Sequence, residues 1–148
     1  MLTIDVYSQQ FSEPFAALQA KLGDLSPVLD EIGYTLENVV QGRFETQSDP
    51  SGHPWAPWKP STAKSYPKDG NRRVLDRYGD MLGSLSYQAD AATSSVMVGF
   101  GAEYAAYQEW GTKAMQRRGL LTDNPDTGEL SETDTELVMD ILHRHLFA

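Results

Sequence analysis

The 148-residue chain has no cysteine. Disulfide bridges and thiolate metal sites are therefore excluded, and the composition fits a reducing cytoplasm. Positive charge is scarce too: 12 Lys and Arg stand against 21 Asp and Glu, a formal net charge of −9. Affinity for nucleic acid comes largely from basic side chains neutralising phosphates, so sequence-specific binding to it is not expected. Passage of DNA past an acidic surface remains compatible with such a charge. Histidine is limited to His53, His143 and His145. His143 and His145 are two apart on an expected helix and point to different faces, and His53 stands alone, which leaves no ligand set for a metal ion. No metal and no cofactor is expected.

Long hydrophobic runs are missing, so no membrane span is expected. Met1–Asp5 offers no basic segment followed by an apolar run, so no secretory leader is expected either. The phosphate-binding loop, the dinucleotide glycine fingerprint, the Gly-x-Ser-x-Gly elbow and the His-Glu-x-x-His helix are all absent. No catalytic residues are expected. Asp123, Asn124, Asp126 and Glu129 gather hard oxygens in one loop, but Pro125 and Thr127 occupy positions where a calcium loop needs ligands, which favours a solvated turn.

The elements that are present follow from periodicity. Leu2, Ile4 and Val6 alternate with polar residues as in a half-buried strand, and Phe11, Phe15, Leu18 and Leu22 form a helical stripe ended by Gly23. Ser26-Pro27 starts the clearest helix, expected from Pro27 to about Gln47 with Ser26 as N-cap, roughly 31 Å long. Its apolar face is Val28, Leu29, Ile32, Leu36, Val39, Val40 and Phe44. Gly33 and Gly42 weaken this helix, and are there either for close packing against a neighbour or because the helix tolerates them.

The stretch Phe44–Trp58 then breaks helical order with Pro50, Gly52, Pro54 and Pro57, yet carries Trp55 and Trp58. A solvated linker rarely holds two indoles, so the loop reads as a clasp with at least one Trp pinned on the core. Both Trp are packing anchors, or else part of a partner surface.

Further on, Ser61–Tyr66 stopped by Pro67 and a segment spanning Val74, Leu75, Tyr78, Met81 and Leu82 predict short helices, with Lys68–Asn71 as a turn between them. Leu85, Tyr87, Ala89 and Val96, Val98, Phe100 predict a β-hairpin. Glu103–Trp110 predicts a short aromatic helix closed by Gly111. Its Tyr104, Tyr107 and Trp110 suit either the core, the more usual role of such stripes, or an interface. Lys113, Arg117 and Arg118 form a basic cluster, either a solvated loop or a site for an acidic surface on an adjacent subunit. Reversing Arg117 and Arg118 to Glu should leave the monomer's thermal stability nearly unchanged but block assembly with such a subunit. Ser131–Asp134 fits a capping box before a final helix with Leu137, Val138, Ile141, Leu142 and Leu146 on one face. The expected fold class is α+β: the long amphipathic helix and the terminal helix packed on a small antiparallel β-sheet, in one domain over residues 1–148.

The order of motifs resembles the phage virion morphogenesis, or tail-completion, family. The residues that carry the likeness are Gly52-His53-Pro54-Trp55-Ala56-Pro57, Leu75 to Gly79, Val96 to Gly99, Tyr104-Ala105, Glu109-Trp110-Gly111 and Arg117-Arg118, over roughly residues 25–148. Two features depart from the family pattern. Met115 to Gly119 replaces a Pro-Ala-Arg-Pro-like loop, and Trp110 stands where Phe is common. The resemblance implies a non-enzymatic virion protein that completes the tail or joins it to the head, built as a ring of copies of itself in contact with other tail or neck proteins. It also implies a location in the virion, reached from the host cytoplasm. The competing expectations are a head-side adaptor and, from another class, a small cytoplasmic hydrolase or a peptide-binding module that uses the Trp clasp.

Overall fold

A computed structural model describes residues 2–5, 11–66, 68, 70, 74–76 and 79–147. Val6 of the first expected strand, the Pro67 stop, Asp69 and Asn71 of the expected turn, and Tyr78 lie outside these residues. The alternating start forms β1 (Leu2–Asp5), with Leu2 and Ile4 buried. The expected hairpin is β2 (Leu85–Asp90) and β3 (Ser95–Phe100), joined through a turn at Ala91–Ser94. β1 pairs antiparallel with the other edge of β3, giving the order β1-β3-β2, and Phe100 lies between Leu2 and Leu85. As the central strand, β3 buries Val96, Val98 and Phe100 completely.

The described residues hold three helices of substantial length: α1 (Ser12–Leu22), α2 (Ser26–Thr46) and, near the end of the chain, α6 (Glu132–Leu146). α2 lies across β2 and β3. Val28, Leu29, Ile32, Leu36, Val40 and Phe44 of its apolar stripe are buried, while Val39 is half-buried. Each such side chain contributes about 1.5–3 kcal/mol on full burial. α6 packs on α1 and α2, and so joins the sheet layer through α2. Among the described residues there are also three short helices: α3 (Pro60–Ser65), α4 (Asp80–Gly83) and α5 (Ala105–Trp110). The segment before α4 forms a turn at Val74 and Leu75, with Leu75 at φ 65°, so the helical phase expected there starts only at Asp80.

Local chemistry differs from expectation at both helix starts. Ser26 is the first residue of α2 and not its cap; Asp24 instead accepts from the Ser26 N–H (3.0 Å) and hydroxyl (2.7 Å). Ser131 does cap α6, accepting from the Asp134 N–H at 3.2 Å. The Asp134 carboxylate, however, does not reach back to the cap. It pairs with Arg43 of α2, both side chains buried, and Arg43 Nη1 also donates to Leu120 O at 2.7 Å. Two opposite charges satisfied in this way hold α2 and α6 in register.

Of the two glycines in α2, only Gly33 is there for close packing. A Cβ at Gly33 would stand 2.2 Å from the Tyr87 ring of β2, whereas a Cβ at Gly42 would meet nothing within 4 Å. Gly33→Ala should destabilise the protein by about 1–3 kcal/mol through overpacking, and Gly42→Ala should stabilise it by up to about 1 kcal/mol. Urea unfolding of the two variants measures both effects.

The far end of α6 is held to α2 by Glu31, which accepts from Arg144 Nη2 at 2.6 Å and pairs with His145 Nε2 at 2.5 Å. Lys21 of α1 closes the same end by donating to Leu146 O at 2.7 Å. Burial pushes the Glu31 pKa up, but the His145 and Arg144 hydrogen bonds outweigh it and hold the carboxyl below its ordinary 4.5. The linked stabilisation is complete above pH 4.5 and is lost as pH falls through the lowered value. Thermal melts of Glu31→Gln between about pH 6 and about pH 3 should show a shallower acid-side fall than the parent protein.

Candidate functional site

α2 ends where Gln47 enters the left-handed region at φ 54°. Its amide then ties the chain down, donating to Phe44 O (2.7 Å) and accepting from the Val74 N–H (2.8 Å). Asp49 Oδ1 accepts from the N–H groups of Ser51 and His53, which curls the proline-rich turn back on itself. The Trp55 N–H then donates to Gln47 O at 2.8 Å. Trp55 consequently enters the core at 6% exposure, edge-on to Phe44 with ring centroids 5.4 Å apart, and its indole N–H donates to Gly119 O at 2.9 Å. Trp58 is half-buried and leans on Tyr66, with centroids 4.3 Å apart. Trp55 is thus the pin of the clasp, while Trp58 lines a groove.

Of the two roles open to the α5 aromatics, the core is the one they do not take. Its buried residues are Ala105 and Glu109, and Tyr104, Tyr107 and Trp110 are 47%, 60% and 49% exposed. Burial together with the Asp80 carboxylate raises the Tyr104 hydroxyl pKa above its ordinary value. Trp110 is steadied at the surface by donating its indole N–H to Asp126 Oδ1 at 3.2 Å.

What faces inward instead is a carboxylate. Glu109 Oε2 accepts from the N–H groups of Leu120 (2.6 Å) and Leu121 (3.0 Å). Oε1 accepts from the Thr122 N–H (3.0 Å), the Thr122 hydroxyl (2.5 Å) and Arg117 Nη2 (3.1 Å). A fully buried charge is tolerable only when so many donors meet it. These contacts leave the carboxylate no free position from which to act as a base. Gly111, at φ 74°, makes the bend that brings the chain back; a Cβ there would lie 2.9 Å from Arg117 N.

The basic cluster separates into two roles. Arg117 Nε donates to Glu109 O (2.6 Å) and its Nη2 to Thr122 O (2.6 Å), so its guanidinium serves its own subunit. Arg118 Nε and Nη2 donate to Ala56 O (2.9 Å) and Pro57 O (3.1 Å), tying the loop to the clasp. The expectation that reversing both arginines spares stability is therefore overturned: Glu at these positions would face the Glu109 carboxylate and the clasp carbonyls. Lys113 alone of the three is exposed, and its side chain makes no ion pair or hydrogen bond among the described residues.

Between the clasp, α3, α5 and the 112–118 loop runs a groove of about 640 Å³, lined by Trp58, Tyr66, Leu75, Gln108, Met115 and Arg118 among others. It continues into a recess of about 370 Å³ lined by Asp80, Met81 and Tyr104. Among the described residues no three His, Asp or Glu side chains converge, and no helix is long and apolar enough to cross a membrane.

That three charged side chains, Arg43, Glu109 and Asp134, are buried escaped the sequence reading. Arg43 and Asp134 were findable, since Arg43 is three residues after Val40 on the buried stripe of α2, and Asp134 is four before Val138 on that of α6. A charge on the apolar face of each helix signals a buried pair. Glu109 gave no such signal, because its helix is too short to set a phase. Glu109→Gln should cost about 3–5 kcal/mol, the usual effect of breaking a buried charge network, and Lys113→Glu should stay within about 0.5 kcal/mol. Chemical denaturation of both variants provides the comparison.

No curated protein and no solved structure matches the chain. Residues 6–147 match the phage virion morphogenesis family, extending the motif likeness from residue 25 back into the N-terminal part. The match spans the clasp, the hairpin, α5 with its Glu109 cradle and the basic loop. The chain belongs to the phage virion morphogenesis family, and its role lies in building the phage particle.

Proposed function

We propose that the protein is a structural subunit of a ring that completes the phage tail or joins the tail to the head. The observation that carries this reading is the α5 ridge. Tyr104, Tyr107 and Trp110 stay at the surface while the helix beneath them is bolted to the core by Glu109. Exposed aromatics on a rigid support suit an interface, because Tyr and Trp supply large contact area at little entropic cost. The saturated Glu109 carboxylate favours a structural role over a catalytic one. Head-to-tail contacts between identical subunits close into a ring when the rotation allows. A net charge of −9 per subunit suits a lumen through which DNA slides without being held.

Two lysates test this reading. Phage lacking the protein should yield filled heads and tails that accumulate apart or join defectively, with few infectious particles by electron microscopy and plating. Complementation with Tyr107→Ala/Trp110→Ala should fail to restore plaques although the purified variant keeps its stability within about 0.5 kcal/mol. Normal numbers of infectious virions from the deletion would refute the assembly role.

A further inference from the structure

Charge is segregated along this chain. Nine of the 12 basic residues fall within residues 59–77 and 113–118, segments that hold only Asp69 and Asp76 of the 21 acids. No basic residue occurs from Gly119 to Leu142. In that acidic part, Glu132, Glu136 and Asp140 recur every fourth residue along α6; all three are exposed and none has an ion pair among the described residues. Like charges at this spacing repel and weaken a helix. The helix dipole offsets this at Glu132, in the first turn, but among the described residues no basic side chain pairs with the stripe.

The groove beside α5 has the complementary character. Lys59, Lys113 and Arg118 stand along its rim, and Lys59 spends one N–H on Ala114 O at 2.9 Å. Trp58 and Tyr66 form an aromatic wall. Gln108 Oε1 is buried at the groove and accepts no hydrogen bond among the described residues. A cationic rim, an aromatic wall and an unused acceptor suit a polypeptide bearing carboxylates and donors.

We infer that the occupant is a second copy of this chain, whose α6 stripe Glu132–Glu136–Asp140 seats along the Lys59–Lys113–Arg118 rim. The inference rests on the ring reading and gives it a contact. One chain carries both complementary faces on separate elements, so the contact is heterologous and propagates from copy to copy. Duplex DNA is the poorer occupant, because outside the two basic segments the chain holds 19 acids and 3 basic residues, which repel phosphate.

The absence of native cysteine makes the test direct. Lys113→Cys/Glu136→Cys is treated with a short bismaleimide, both as purified protein at millimolar concentration and in particles formed when the variant complements the deletion. The expected result in at least one sample is a ladder beyond the dimer at multiples of 16.4 kDa. The ladder should weaken several-fold as salt rises from about 0.05 to about 0.5 M and shortens the range of charge interactions. Single-cysteine chains and the control Lys113→Cys/Tyr34→Cys should give no ladder. Adding Lys59→Glu should abolish it, and adding Glu132→Lys to that chain should restore it. No ladder above the control in either sample, or no rescue by the second reversal, overturns the contact. So does duplex DNA binding that is lost in Lys59→Glu/Lys113→Glu without any ladder. If the variant supports plaques but gives no ladder, the contact falls and the assembly role stands; if the deletion is harmless, the assembly role itself falls.

Discussion

Glu109 holds its charge where no water reaches it, and three consecutive backbone N–H groups, a hydroxyl and a guanidinium converge on its two oxygens. Hydrogen bonds to a buried charge are the strong ones, and each one lost leaves its desolvation less fully offset. The 117–122 segment therefore has one conformation compatible with a buried Glu109. Leu120 and Leu121, both fully buried, then fill the core from that segment, and Gly119 O receives the Trp55 indole N–H. The position of the clasp depends in turn on that bond.

A second buried charge system meets the first at a single residue. Leu120 gives its N–H to Glu109 and its C=O to Arg43, whose other partner is Asp134. α5, the loop, α2 and α6 are thereby joined through one peptide segment. The α5 surface thus rests on a stiff support, which suits the assembly contact proposed for it. An interface already ordered in the free subunit loses less conformational entropy on docking. The same stitching keeps the groove open between clasp and loop, since Arg118 bonds the carbonyls of Ala56 and Pro57.

The regular elements were legible in the sequence because their stripes are long. Twenty-one residues of α2 and fifteen of α6 repeat their phase often enough to reveal a buried face, and the hairpin alternates cleanly. The pairing of β1 with β3 was not legible, since four residues announce a strand but not its neighbour. The six residues of α5 make fewer than two turns, too few to decide whether its three aromatics face the core or an interface. The inward residue proved to be the acid, because donors arriving from residues 117–122 outbid the apolar alternative. Arg117 looked like a free cation for the same reason: its partner Glu109 was not yet visible as buried. Only Lys113 kept the exposure expected of the whole basic cluster.

The central claim is that Glu109 organises the 117–122 segment. Native-state amide hydrogen exchange reads it at three donors, Leu120, Leu121 and Thr122. If the cradle is formed as described, these loop amides exchange as slowly as those in the middle of α2, by global rather than local opening. Exchange of all three as fast as the exposed Gln116 amide would contradict the account.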